Sequence, residues 1–429
     1  MDCRLLISLV DEHICPQPIN TVSSFSNSGV LKMPQIEIVK GVYSVGAIDW
    51  DRTVFDELIP LPEGTSYNAY LIKGSEKTAL IDTVDPAKTD VLLANLKKAG
   101  VERIDYIVAS HAEQDHSGSI PAVLEKYPDA VVVTNAKCRG FLMDLLHIPE
   151  GKFVEVKDGE ELSLGDRTLR FLFTPWVHWP ETMSTYLVED RILFTCDFFG
   201  SHLATSKLFA EDHYDVYTGA KRYYAEIMMP FRTIIRKNVA MVEELNPAII
   251  APSHGPLYRN VSFIIDAYKE WLSDDTLENM VVIGYVSMHD STRIMAERLA
   301  SSLIERGVHV KMFNLVTGDT GEFAMSLVDA ATLIIATPTV LSGPHPAALY
   351  ATYLASALRP KMKFFGIMGS YGWGGRTADI LNGIMSLKVE RLEPLLIKGL
   401  PDEDGLKKVE EMAENIRRLH EEAGLIKPE

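Results

Sequence analysis

Tyr106-Ile-Val-Ala109 runs without a break into Ser110-His111-Ala112-Glu113-Gln114-Asp115-His116-Ser117-Gly118, a β-rich apolar segment that opens into four potential metal ligands. Two imidazoles and two carboxylates at a strand exit converge only if the loop wraps around something they share. The same layout, an apolar run, then a ligand, then a turn, recurs three more times downstream. It places His178 in Thr174-Pro-Trp-Val-His-Trp-Pro180, Asp197 in Phe194-Thr-Cys-Asp-Phe-Phe-Gly200 and His254 in Ala251-Pro-Ser-His-Gly-Pro256. Ligands carried on loops at the ends of strands are how a rigid sheet presents a binding site. Carboxylates mixed with imidazoles suit iron or manganese better than the nitrogen and sulfur sets typical of zinc. Three carboxylate charges nearly offset two divalent cations, as a buried site requires.

Around this motif the chain reads as short β-rich runs, Val42 to Ile48, Tyr67 to Ile72, Thr78 to Thr83, Ala130 to Thr134 and Leu169 to Thr174. Helical periodicity appears at Lys88 to Ala99 and again at Val261 to Leu272. Strands and helices mix without strict alternation, which predicts an α+β layered sandwich. From Met280 the pattern becomes regular. Strands are expected at Val281 to Val286, Val308 to Leu315, Thr332 to Ala336, Lys363 to Met368 and Leu392 to Ile397. Helices are expected between and after them, at Thr292 to Glu305, Glu322 to Ala330, Pro346 to Ala357, Thr377 to Met385 and Asp404 to Ala423. This β/α alternation predicts an α/β doubly wound parallel sheet, whose ligands bind beyond the carboxyl ends of the strands.

Three strand-end loops of that second region have the chemistry for a phosphate and a planar ring. Ser287, Met288, His289, Ser291 and Thr292 lead into a helix, whose free N–H groups and dipole favour an anion. Pro338, Thr339, Ser342 and Gly343 follow the third strand, and Ser370, Tyr371, Gly372, Trp373 and Gly374 follow the fourth. Glycine lets backbone approach a ring, and Tyr371 or Trp373 can stack on it. The absence of G-x-G-x-x-G and G-K-[ST] counts against NAD and ATP.

Composition sets the outer limits. With 429 residues, 47% hydrophobic and 24% charged, the chain is an ordinary globular protein of two or three domains. Its 42 basic and 59 acidic residues leave a net charge of −17, which repels nucleic acid and anionic membranes. Cys3, Cys15, Cys138 and Cys196 form no C-x-x-C pair, so no zinc ribbon, rubredoxin-type iron site or disulfide framework is written here, and a reducing, cytoplasmic setting fits best. No apolar run approaches the roughly 20 residues of a membrane span. Residues 1–32 are expected to be a loose extension that is no secretory signal, with Met33 as the functional start. The expected division is then 33–278 for the metal domain and 279–429 for the second. Outside the ligand set, His202 is a candidate catalytic residue near Asp197, whereas His13, His147, His213, His309 and His420 are expected to be structural or solvated.

Taken together, these motifs resemble two known folds in tandem. His111-x-Glu113-x-Asp115-His116 resembles the metallo-β-lactamase motif H-x-H-x-D-H with Glu113 in the second His position, and the three loops after 279 resemble those of flavodoxin. This pairing resembles the flavodiiron protein family over essentially all of the chain after Met33. The resemblance implies two non-haem irons and FMN as cofactors, with reduction of O2 to water or of NO to N2O. It implies that His111, Glu113 and His178 serve one iron, that Asp115, His116 and His254 serve the other, and that Asp197 bridges them. Either Tyr223 or Tyr224 would supply a pocket tyrosine. The resemblance further implies a head-to-tail homodimer or dimer of dimers, and an external electron donor such as rubredoxin or the reduced deazaflavin coenzyme F420, since no rubredoxin or flavin-reductase segment precedes Glu429. One departure stands out: many members have a His after the Phe of W-x-x-x-x-F-H, whereas Trp50-Asp-Arg-Thr-Val-Phe55 is followed here by Asp56. The alternative reading is a metal-dependent hydrolase with a flavodoxin-like regulatory module. The carboxylate-rich ligand set counts against it.

Overall fold

The computed structural model describes residues 36–211 and 214–426. The expectations for residues 1–32, Met33, Cys3, Cys15, His13 and His213 therefore lie outside the described residues. Three larger sheets organise the described chain. The first runs from Ile36–Val39 through Val42–Ser44, Tyr70–Lys73, Thr78–Ile81, Tyr106–Val108 and Val131–Thr134 to Phe153–Glu155. Its early pairs are antiparallel and its last three parallel. The second sheet follows the order Glu161–Ser163, Thr168–Phe173, Met183–Leu187, Ile192–Cys196 and Ile249–Pro252.

These two sheets face each other. Ile38, Ile72, Val108 and Val133 of the first interleave with Phe171, Met183, Phe194 and Ala251 of the second in one buried cluster. The outer face of the first sheet packs on Leu92, Leu96, Ile120, Val123 and Leu142 from three helices, Thr89–Lys98, Ile120–Lys126 and Ala136–Leu146. The outer face of the second packs on helices Tyr214–Tyr223, Arg232–Leu245 and Val261–Leu272. The result is the layered αβ/βα sandwich of the metallo-β-lactamase fold. Two expected strands are each broken. Val42 to Ile48 divides at Val45-Gly46 and Tyr67 to Ile72 at Asn68-Ala69, so that one part stays in the large sheet while Ala47–Asp49 and Thr65–Tyr67 pair separately beside the ligand end. The backbones press together there: a Cβ on Gly46 would lie 2.1 Å from the Tyr67 carbonyl oxygen.

The third sheet begins at Glu278 and places its strands in the order His309–Asn314, Glu278–Tyr285, Ala330–Val340, Phe364–Tyr371, with Glu390–Arg391 and Leu395–Lys398 both on the last. This is the flavodoxin strand order, 2-1-3-4-5. The expected fifth strand is thus two short ones, and the expected helix Glu322 to Ala330 is instead Thr320–Ser326, because Asp319 caps it early. Both faces are covered, one by helices Ser291–Ile304 and Glu403–Glu422, the other by Pro346–Leu358 and Thr377–Ile384. Ala324, Val328 and Leu358 of this half also enter the apolar cluster beneath the second sheet, so the two halves share a core.

Candidate metal centre and flavin pocket

The motif loop is shaped by backbone anchors. Ala109 is held to Val133 and Thr134, and the Ser110 N–H donates to the buried carboxylate of Asp82 at 2.8 Å. A short turn of helix, Gln114–Ser117, then follows, with Ser117 Oγ donating back to the Ala112 carbonyl. Glu113 before that turn, and Asp115 and His116 within it, are thereby aimed at the same space as His111. Asp197 is turned toward it by the left-handed backbone of Cys196 (φ +55°) at the end of Ile192–Cys196. His254 arrives from the next strand. Asn68 Nδ2 donates to the carbonyls of Pro252 and Gly255 on either side of it, and its own Nδ1 donates to the Ser66 carbonyl at 2.7 Å.

All seven ligand candidates meet in two clusters. In one, Glu113 Oε2 lies 3.0 Å from His111 Nε2 and 3.1 Å from His178 Nε2. In the other, Asp115 Oδ2 lies 3.1 Å from His254 Nε2 and 3.3 Å from His116 Nε2. Asp197 stands between them. Its Oδ2 faces His178 and His111 at 3.4 and 3.6 Å, and its Oδ1 faces His116 and His254 at 3.0 and 3.3 Å. Ligand atoms from His111, Glu113, His178 and Asp197 lie within 4.8 Å of one another, as do those of Asp115, His116 and His254.

Electrostatics follows from this crowding. Burial pulls the imidazoles down, but the carboxylates outweigh it, through hydrogen bonds to Glu113 and Glu181 for His111 and through Asp115 and Asp197 for His116, holding each at about 9. His178 and His254 are raised likewise, to about 10 and about 9. Burial opposes ionisation of Asp197 and Glu113, yet the surrounding imidazoles hold both well below the usual carboxylate range.

Two observations test whether metal fits. Asp115 Oδ2 and His254 Nε2, though close, are not aligned for a hydrogen bond, and neither they nor the other Asp115 oxygen has any hydrogen-bond partner, a rare condition for buried polar atoms. In addition, the inward-facing atoms are nitrogen and carboxylate oxygen throughout, in numbers that suit two divalent cations. The Cys196 sulfur also lies within 4.8 Å of ligand atoms of His116 and Asp197, and burial and then Asp197 push its thiol far up.

Residues 65–255 match the family described as ODP family beta lactamase. A nitric oxide reductase of Moorella thermoacetica is 37% identical, over 83% of this chain and 90% of its own. A coenzyme F420H(2) oxidase of Methanothermobacter marburgensis is 35% identical, over 82% of this chain and 90% of its own. Among solved structures, the rubredoxin oxygen:oxidoreductase of Desulfovibrio gigas superposes with a TM-score of 0.86 at 30% identity, covering 90% of this chain and 98% of the other. The chain belongs to the flavodiiron protein family.

The surroundings of this flavodiiron pocket contain groups that the sequence did not single out. Glu181 Oε1 accepts from His111 Nδ1 at 2.8 Å and from the Ala112 N–H at 3.1 Å. This fixes the tautomer that leaves Nε2 free toward the metal position. Thr65 Oγ1 lies 2.9 Å from His202 Nδ1. His202 packs on Phe55, Tyr223 and His254, and burial followed by His254 keeps it neutral, so it contributes shape and a polar edge rather than charge. Of the two tyrosines, Tyr223 reaches the site, with its hydroxyl donating to Asp197 Oδ1 at 2.8 Å, while Tyr224 donates to the Trp271 carbonyl. Asp56 sits on the turn beside Glu113. Burial, and then Glu113, push its carboxyl up to about 6.

The flavin residues converge less completely. Ser287, Met288, His289, Ser291, Thr292, Pro338, Thr339, Ser370, Tyr371, Gly372 and Trp373 line one pocket together with Gly399, which the sequence reading missed. Ser342, Gly343 and Gly374 do not line it. Gly343 pairs with Val340 in a hairpin, and the Ser342 carbonyl accepts from the Arg376 N–H, which turns this segment away. The fit to FMN rests on the donor set: hydroxyls and backbone amides at the start of the 14-residue helix Ser291–Ile304, and Trp373, 71% exposed, at the rim.

Proposed function

We propose that this flavodiiron oxidoreductase reduces O2 to water, NO to N2O, or both, with electrons passed through FMN from an external donor. The observation that carries this reading is Asp197, whose two oxygens each face one of two separate imidazole–carboxylate clusters. His111, Glu113 and His178 would hold one iron, Asp115, His116 and His254 the other, and Asp197 would span them. Two irons supply two electrons and FMN two more, enough for O2 + 4e⁻ + 4H⁺ → 2H2O, while 2NO + 2e⁻ + 2H⁺ → N2O + H2O needs two.

The chain's own residues do the rest. Glu181 and the Ser66 carbonyl orient His111 and His254. Tyr223 holds a proton against Asp197, and Asp56 holds one at the pocket mouth below about pH 6. Phe55 and neutral His202 keep the inner wall tightly packed. The loops around Ser287, Thr339 and Trp373 would seat FMN in a second domain covering 279–429, the metal domain covering 33–278. A head-to-tail pair of chains would bring one chain's flavin to the other's irons, and exposed Trp50, Trp176, Trp373 and Leu341 give both ends apolar surface for such a contact. Among the described residues no helix is long and apolar enough to cross a membrane.

Metal and flavin analysis of purified protein tests the reading. Two irons and one FMN per chain are expected, with O2 or NO consumed after anaerobic reduction. Zinc without flavin, or a fully loaded protein inert to both gases, would sink it.

A further inference from the structure

One guanidinium ties the metal pocket to the C-terminal half. Arg222 is buried at the end of helix Tyr214–Tyr223, one residue before the tyrosine that donates to Asp197. Its Nη1 and Nη2 donate in a fork to Asp319 at 2.8 and 2.6 Å. Asp319 belongs to the other half, where it caps helix Thr320–Ser326 by accepting from the Gly321 and Glu322 N–H groups. Nη2 also donates to the Pro60 carbonyl at 3.2 Å, and Nε lies 3.2 Å from Glu226 Oε1. Pro60 closes the hairpin of Val54–Phe55 and Ile59–Pro60, which sets Phe55 against His202 and puts Asp56 beside Glu113. Glu226 lies in the π-helical turn Tyr224–Met228, where a wider turn rephases the helix directly after Tyr223. The neighbouring Lys221 reaches Asp329 of the same C-terminal half at 2.5 Å.

We propose that Arg222 is a positioning residue for gas reduction: from its anchor on Asp319 it holds Tyr223 on Asp197 and the Phe55 hairpin over the pocket. Two walls of the site thus take their position from a loop that lies outside the metal domain. The guanidinium packs directly on the backbone of Gly321, where any side chain would displace it: a Cβ there would lie 2.1 Å from Nη2 and 2.2 Å from Glu226 Oε1. A planar fork is what makes this tie directional, and lysine cannot reproduce it. The inference rests on the flavodiiron reading.

The test uses iron- and FMN-loaded enzyme. Arg222→Gln should retain iron and flavin yet lower kcat by about ten- to a hundredfold, the usual cost of a small misplacement, with KM for the gas little changed. Tyr223→Phe, costly alone, should add almost nothing in the Arg222→Gln background, because the two act as one unit. Independently of activity, a fluorotyrosine at position 223 should show a shifted fluorine resonance in Arg222→Gln and a partial return in Arg222→Lys. If Arg222→Gln fails to fold, Gly321→Ala displaces the same guanidinium from the other half and should give the same pattern. Wild-type kcat and an unmoved resonance, or a Tyr223→Phe loss of equal size in both backgrounds, would overturn the proposal. A loaded wild type that reduces neither gas would instead defeat the functional reading, leaving the fluorine experiment to judge Arg222.

Discussion

The two ligand-bearing regions are built on opposite plans. In the metal pocket three of the ligands are held by fixed partners, His111 by Glu181, His254 by Ser66 and Asp197 by Tyr223, while the atoms that face inward, both Asp115 oxygens and His254 Nε2, are left unpaired. In the flavin half the ligand loops are open, with Trp373 71% exposed. Its buried polar lock lies elsewhere in the sheet, where His420 bridges Asn279 at the start of one strand and Thr332 near the start of another, both at 2.7 Å. The contrast teaches that a site for small ions must be set by the fold before the ligand arrives, since ions supply no shape of their own. A large flat cofactor can complete its own pocket.

The sharpest way to break this comparison is Asp197→Ala. Because Asp197 serves both clusters, gas reduction should vanish and iron content fall while FMN stays bound. Flavin absorbance and metal analysis on one sample decide it, and full activity in the variant would refute the shared carboxylate. Next in size is acid stability. Burial pulls His420 down to about 4, below the usual 6.5, so the unfolded chain takes up a proton that the folded one refuses. Stability from this group is complete above pH 6.5 and drains as pH falls toward 4, by up to about 3 kcal/mol. His420→Gln should therefore flatten the melting temperature across that window relative to wild type, and parallel curves would show that the lock is not at His420.

Glu181→Gln sharpens the comparison from the metal side. Losing the charged partner of His111 should weaken iron binding by about ten- to a hundredfold, read by competition with a chelator, with the fold intact. Trp373→Ala probes the open pocket. It should cost FMN only about 1 kcal/mol, a loss of about fivefold in Kd by fluorescence titration, because a rim stack is one contact among several. A loss of a thousandfold would mean that the flavin site is as rigidly committed as the metal site. Smallest of all, Asp56→His should leave iron and FMN in place and change only the ratio of O2 to NO turnover, so an unmoved ratio would remove Asp56 from the selectivity of the pocket.

The ligands were legible because each follows an apolar run at a strand exit, a local signal that needs no knowledge of the partner. The β/α rhythm after Glu278 was legible for the same reason, its main elements being long and regular. Glu181, Thr65, Asp82 and Arg222 were not, because each acts on a residue from another element and carries no local mark. Tyr223 could not be told from Tyr224 while the π-helical turn that sets their phase was unknown. Ser342 and Gly343 had suitable chemistry, and a two-residue hairpin took them out of the pocket.

The spacing of the ligands has a consequence in time. His111 and His254 are far apart in sequence, and the second sheet must dock on the first before Asn68 can grip the loop around His254. During synthesis the ribosome delivers His111 through His116 well before Asp197 and His254. At about 5–20 residues per second, several seconds pass in which only half of a site exists. A chain stalled in that interval can hold iron loosely at best. Full loading then belongs to the finished domain, and a truncated or misfolded product is poorly equipped to keep iron that could otherwise generate damaging oxidants.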